Sequence, residues 1–406
     1  MHRTRERAGV PTRPGSPVGR LVHSVLLGSA TLLLAAVVSP PAVALDDGLA
    51  RTPPMGWSSW NHFGCDVDEW AVRATADAMA RSGMRAVGYR YVNVDDCWMA
   101  SERDARGRVQ ADPVRFPSGI AALADYVHRR GLKLGIYHDI GERTCSGLPG
   151  MAGHEADDVR QLVAWRIDYL KLDFCHVQPE VRRTPAPAYA RVRDLVRRSG
   201  RRVVLGICNW GVGAPWRWGP RVGHLWRVTG DIKNEWSSVM RVADRAERLW
   251  RFAGPGGWND PDSLEIGNGV LTKREGRAQL SVWAMLAAPL IAGNDVRALS
   301  RATRATLTNR EVISVDQDGA GQGRRVRRGA NEGWVRRLRS GDRALLLLNR
   351  RPRAAPVRVN LRRVLAMQSK PPYQLRDLWA HRWRRSGPSL SIRLSGHGAA
   401  MFRLRR

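Results

Sequence analysis

Between residues 55 and 295, short apolar or aromatic runs alternate with longer stretches in which apolar residues recur every third or fourth position. Runs that are apolar throughout fit strands buried on both faces, and the 3.6-residue spacing fits amphipathic helices. The pattern predicts strands at 55–60, 89–96, 133–139, 169–175, 203–210, 224–230, 256–262 and 289–295. Helices are expected between them, among them 69–82, 119–130, 156–165, 188–199, 239–252 and 273–287. Eight strand–helix units in about 250 residues are the size of a (β/α)8 TIM barrel of the α/β class, whose active site gathers where the strands end. After Asp318 the pattern becomes short alternating strands at 333–339, 344–349, 355–361, 373–379 and 389–394, which predicts a small antiparallel β-sandwich.

The expected barrel strands finish in polar or aromatic side chains: Trp57, Asp95 and Asp96, Tyr137, Lys171 and Asp173, Asn209 and Trp210, Arg227 and then Asp231, and Asp262. Burying unpaired carboxylates costs several kcal/mol, so these groups make little sense as core and good sense as a ring around a pocket. The ring holds no Ser-His pair, phosphate loop or set of metal ligands, so neither a metal nor a cofactor is expected. Aromatic faces suit the C–H patches of a sugar, carboxylates and amides suit its hydroxyls, and two carboxylates suffice for glycoside hydrolysis. Lys171 and Asp173, two apart on one strand, share a side, and the ammonium favours an ionised Asp173 as nucleophile. Asp231 is the candidate acid/base, its pKa expected to be raised by apolar surroundings or a neighbouring carboxylate.

The 406 residues are 43% apolar and 26% charged, ordinary globular values that exclude wholesale disorder, a coiled coil and a polytopic membrane protein. The net charge of +30 is almost entirely arginine, and +20 of it falls in residues 324–406. No nucleic-acid reader module accompanies it, so nucleic acid is not an expected partner. The basic C-terminal part reads either as a solvated face or as an attachment to anionic cell-surface polymers. Arginines before an apolar run at 25–38, followed by Ala42-Val-Ala44, predict a signal peptide over 1–44, secretion, and no membrane span in the mature chain. The expected division is then 45–323 for the barrel and 324–406 for the sandwich. Export permits disulfides among the five cysteines, leaving one over.

Six segments, in order, resemble glycoside hydrolase family 27 of clan D, the α-galactosidases and α-N-acetylgalactosaminidases. They are Thr52-Pro-Pro-Met-Gly-Trp-Ser-Ser-Trp-Asn61, Tyr91-Val-Asn-Val-Asp-Asp-Cys-Trp98, Gly135-Ile-Tyr-His-Asp-Ile-Gly141, Tyr169-Leu-Lys-Leu-Asp-Phe-Cys175, Gly257-Trp-Asn-Asp-Pro-Asp262 and Pro289-Leu-Ile-Ala-Gly-Asn-Asp295. The resemblance implies a retaining exo-glycosidase acting on α-galactosides, with Asp173 as nucleophile and Asp231 as acid/base. It implies sugar contacts from Trp57, Asp95, Asp96, Tyr137, Lys171, Arg227 and Asp262, with Asp95 and Asp96 on the 4- and 6-hydroxyls. It also implies disulfides Cys65–Cys97 and Cys145–Cys175, leaving Cys208 free. Asn209, where many members have Glu, and Ser263, where Met is common, lie near the part of the pocket that reads the 2-position. They leave open α-N-acetylgalactosaminide, β-L-arabinopyranoside or isomaltose-type glucan specificity; a reading of a different class, a catalytically inactive carbohydrate-binding protein on a barrel scaffold, is weakened by the presence of both candidate carboxylates.

Overall fold

The computed structural model describes residue 45, residues 47–362 and residues 371–405; the expected signal peptide lies outside them. Eight parallel strands form the first layer: β1 (Met55–Ser58), β2 (Tyr91–Val94), β3 (Lys133–Asp139), β4 (Tyr169–Asp173), β5 (Val204–Ile207), β6 (Leu225–Arg227), β7 (Trp258–Asp260) and β8 (Leu290–Ala292). Their order is β7-β6-β5-β4-β3-β2-β1-β8, and the ring closes where Leu264, just past β7, bridges Ala292. Around them pack α1 (Glu69–Arg81), α2 (Gly119–His128), α3 (Glu155–Ala164), α4 (Ala186–Arg198), α5 (Trp236–Glu247) and α6 (Lys273–Leu286), followed by α7 (Arg301–Leu307) and α8 (Arg310–Asp316).

Local sequence explains the helix starts. Asp68 accepts a hydrogen bond from the Ala71 amide at the head of α1, and Thr272 with Glu275 forms a reciprocal capping box at the head of α6. Helix α6 is buried almost all round because the barrel lies on one side of it and the C-terminal sheet on the other. Inside the barrel, Gly135 and Gly206 face Asn93 and Tyr169. A Cβ there would sit 1.9 Å from Asn93 Oδ1 and 2.6 Å from the Tyr169 hydroxyl, so only glycine leaves room for the polar floor of the cavity.

The C-terminal part is an antiparallel sandwich of a six-stranded and a two-stranded sheet. The strands are β9 (Arg324–Arg327), β10 (Asn331–Arg337), β11 (Arg343–Asn349), β12 (Ala355–Asn360), β13 (Tyr373–Asp377), β14 (Arg382–Ser386), β15 (Ser389–Leu394) and β16 (Ala399–Leu404). The larger sheet runs β14-β13-β16-β11-β10-β9, and β12 pairs with β15. Alternation divides the larger sheet's side chains. Leu345, Leu347, Leu375 and Phe402 meet Val357, Val359 and Leu390 of the small sheet, while Trp334, Ala344, Leu346 and Met401 join the barrel core. The junction is fixed by polar groups too: buried Arg336 of β10 donates to the carbonyls of Ala284 (2.6 Å), Asp316 (3.2 Å) and Asp318. It thereby supplies donors to carbonyls at or near the ends of α6 and α8, where intrahelical donors run out.

Candidate active site

A cavity of about 410 Å³ opens at the C-terminal ends of the strands, within the size range of small-molecule sites. Its lining includes Asp95, Lys171, Arg227, Asp231 and Asp262, together with Ser58, Asn61, Cys208, Ser263 and Glu265.

Two ionic networks organise it. On one side Lys171 of β4 grips both oxygens of Asp95, at 3.0 and 2.9 Å, and Ser58 donates to Asp95 at 3.1 Å. The nearest approach of Lys171 to Asp173 is 4.0 Å, so the lysine serves Asp95 first, although Asp173 is its neighbour on the strand. Burial works against the Lys171 charge, but Asp95 and the other anions outweigh it and keep it an ammonium. On the other side Arg227, ending β6, is buried and reaches Asp262 at 2.6 Å and Asp231 at 2.9 Å through one nitrogen, Nη2. Asp262 also accepts from the amides of Ile232 (2.9 Å) and Ser263 (2.8 Å), locking the β6 and β7 loops together.

The carboxylates have pushed-apart pKa values. Burial raises Asp173 to about 6 despite the opposing charge of Lys171, and Asp95 adds to the rise. Asp139, paired with it across β3 and β4, is pushed up to about 8 by burial and then by Asp173. Oxygens of these two acids and the sulfurs of Cys145 and Cys175 lie within 4.8 Å of one another, but the sulfurs are bonded to each other and are not free ligands. The expectation of a raised Asp231 is corrected. Its side chain is 62% exposed, so the desolvation that raises it is outweighed by Arg227 and Lys171, and its pKa is lowered.

The remaining expected residues stand around this lining, with Asp173 Oδ2 4.0 Å from the Lys171 ammonium that faces the cavity. Asp173 is 5% exposed at the end of β4, with Oδ1 accepting from the Phe174 amide at 2.9 Å. Asp96 has both oxygens occupied, by the amides of Cys97 (2.7 Å) and Ser146 (3.0 Å), and so clamps the loop after β3. Buried Trp57 donates to the Asn294 carbonyl at 2.8 Å, and the buried Tyr137 hydroxyl points at Asp139 at 3.4 Å. Asn209 donates to the Val212 carbonyl at 2.6 Å, leaving its buried Oδ1 without a protein partner. Trp210 packs edge-on against Phe174. Cys65 pairs with Cys97 and Cys145 with Cys175; Cys208 is unpaired and buried, and burial holds it as a thiol.

Two residues that line the site escape the strand-end reading, as does the closeness of a third, Asp139, to Asp173. Glu265 lines the cavity, accepts from Asn61 and from Asn268 (2.7 Å), and is raised to about 7 chiefly by burial. Its only signal in the sequence is a lone acid between Leu264 and Ile266. Ser58 is concealed among the serines beside Trp57. Asp139 is visible as a strand-end acid, but its closeness to Asp173 depends on register across two strands.

A (β/α)8 barrel whose strand ends bring carboxylates and their cationic partners onto one cavity has the layout of a glycoside hydrolase. Comparison with known proteins narrows the class. The pattern of the family described as Alpha galactosidase A matches residues 52–318, and that of the alpha galactosidase C-terminal beta sandwich domain matches residues 328–404. The chain belongs to the α-galactosidases of glycoside hydrolase family 27. It is 44% identical to "Alpha-galactosidase A" of Cellvibrio japonicus, covering 92% of this chain and 97% of that one. It is 42% identical to the "Alpha-galactosidase" of Oryza sativa, covering 88% and 86%. The crystal structure of α-galactosidase I from Mortierella vinacea superposes with a TM-score of 0.86 at 32% identity, covering 88% of this chain and 98% of that one.

Proposed function

We propose that the protein hydrolyses terminal α-D-galactosides with retention of configuration, with Asp173 as nucleophile and Asp231 as acid/base. The observation that carries this is the convergence of the Lys171–Asp95 and Asp262–Arg227–Asp231 networks on one cavity in a chain of this family. Asp173 attacks the anomeric carbon as the bond to the leaving oxygen breaks, and Asp231 gives that oxygen its proton. Water then attacks the same carbon, loses its proton to Asp231, and frees the Asp173 carboxylate. Release of nitrophenol from an aryl α-galactoside by the purified protein tests the activity; absence of turnover would refute it.

The pKa order sets the pH dependence. The productive form needs Asp173 ionised and Asp231 protonated, whereas the free enzyme holds Asp173 near 6 and Asp231 low. Between the two pKa values the productive fraction is constant, because each pH step ionises more Asp173 and protonates less Asp231. Above pH 6 only the loss from Asp231 remains. We therefore expect kcat/KM to be level at mildly acid pH and to fall about tenfold per unit above pH 6, the limbs belonging to the coupled pair. A profile still level at pH 8 would contradict this order.

We also infer export, supported by the N-terminal apolar segment and by two disulfides that suit an oxidising compartment. Secreted protein should begin near Leu45; recovery of an intact N-terminus from cells would refute export. The charge of +20 over residues 324–406 supports attachment to anionic surface polymers. Such binding should be tight at low salt and fade by about 0.15 M, where the Debye length is roughly 8 Å. Equal retention of a variant with neutralised C-terminal arginines would refute it.

A further inference from the structure

We infer that His397, in the C-terminal sandwich, is a positioning residue for the loop that carries Asp231; this rests on the acid/base role proposed above. Besides the Lys233 amide, which donates to Ser238 of α5 at 2.9 Å, the loop from Asp231 to α5 is tied to other segments at three places. Near Asp231, the Ile232 amide donates to Asp262 at 2.9 Å. In the middle, Asn234 donates to the Asn268 carbonyl at 2.6 Å and accepts from the Leu271 amide at 3.2 Å, tying the loop to the segment after β7. At the far end, Trp236 stacks on the imidazole of His397, with ring centroids 4.7 Å apart and planes 16° apart. The first two ties lie within the barrel; the third comes from the other domain.

The turn presenting His397 is built to hold its place. Asn349, fully buried, donates from its side chain to the carbonyls of Arg353, Leu394 and Ser395 at 2.8 to 3.2 Å, and its amide donates to the Gly398 carbonyl at 2.9 Å. The His397 amide donates to the Arg351 carbonyl at 3.0 Å. Gly396 passes so close to Pro352 that a Cβ would lie 1.9 Å from its carbonyl oxygen. The turn is also docked on α6: Arg274 donates to the Gly396 carbonyl at 3.0 Å, and His397 Nδ1 lies 2.6 Å from Glu275, the capping-box acid. A rigid turn thus holds one ring against the first residue of α5, five residues beyond an acid/base whose carboxylate is hydrogen-bonded by Arg227 among the described residues. Proton donation requires Asp231 within hydrogen-bond reach of the leaving oxygen, so slack in its loop weakens that step in particular.

The test compares kcat/KM on 2,4-dinitrophenyl α-galactoside, whose leaving group departs without a proton, with that on a galactosyl-α-1,6-glucose disaccharide, whose leaving group needs one. His397→Ala should lower the disaccharide value about tenfold and the dinitrophenyl value less than twofold, with Asp231→Ala giving the same split on a larger scale. His397→Phe, which keeps a ring on Trp236, should restore the disaccharide value, and His397→Gln should not. If His397→Ala does not fold, the Phe and Gln variants read the same contrast. Equal losses on both substrates, no loss on either, or equivalence of Phe and Gln would overturn the inference while leaving the acid/base role intact. Absence of the split in Asp231→Ala would overturn that role, and the inference with it.

Discussion

Asp173→Asn should lower kcat/KM on aryl α-galactosides by a factor on the order of 10⁴ or more, since a carboxamide cannot form the glycosyl ester and no other group replaces a missing nucleophile. The same substitution should not destabilise the fold. The retained amide oxygen can still accept from the Phe174 amide, and one negative charge leaves a buried pocket already holding Asp95 and Asp139. An aspartate whose pKa rises on folding, here to about 6, opposes stability once pH exceeds its unfolded value. The Asn variant should therefore unfold at the same temperature as the parent or higher at pH 7, by differential scanning calorimetry. A variant that retains a tenth of its activity, or loses activity only because it unfolds, would remove Asp173 from the role.

The second large effect concerns the choice of sugar. Asp95 presents a carboxylate to the cavity, fixed by Lys171 and Ser58, and an axial 4-hydroxyl can donate to it, while an equatorial one points elsewhere and leaves it unmatched. Sites built to hydrogen-bond a hydroxyl discriminate by on the order of 10⁴, so α-galactosides should exceed α-glucosides by about that factor. Asp95→Ala should erase most of this preference by lowering the galactoside value alone. Asp96→Ala should likewise lower the galactoside preference, and should in addition loosen the loop after β3 that Asp96 ties through the Ser146 amide. An N-acetyl group at the 2-position should still be disfavoured. Comparable efficiency on aryl α-glucoside, or better efficiency on aryl α-N-acetylgalactosaminide, would show the sugar to be misassigned.

Much of the barrel was legible because burial on both faces makes parallel strands continuously apolar, and each run ended in chemistry. The expected runs overshoot, however: β6 ends at Arg227 and β7 at Asp260, so Asp231 and Asp262 stand on loops where polar residues had lengthened the apparent strand. In the sandwich, β16, β9 and β14 were not among the expected strands, the last two because Arg-Arg-Val-Arg and Arg-Trp-Arg-Arg-Ser show no apolar alternation. Those two are the edge strands of the larger sheet, where charge guards against edge-to-edge pairing. The roles proposed for the site acids rest on residue type and resemblance, whereas their electrostatics depend on the fold. Spacing of two along β4 suggested that Lys171 serves Asp173, whereas Asp95, just past β2, is the closer partner. Nothing local to Asp231 reveals that it shares a guanidinium with Asp262, 31 residues on. Side-chain reach decided both, in one case across β3 from β4 to the end of β2 and in the other from β6 to the loop after its neighbour β7.

The central claim is double displacement by Asp173 and Asp231 at one anomeric carbon, and it is tested most directly by the configuration of the first sugar released. Proton NMR during the first turnovers of an aryl α-galactoside, before mutarotation mixes the anomers, should show the α-anomer of galactose. Initial appearance of the β-anomer would mean a single inverting displacement by water, and would contradict the mechanism.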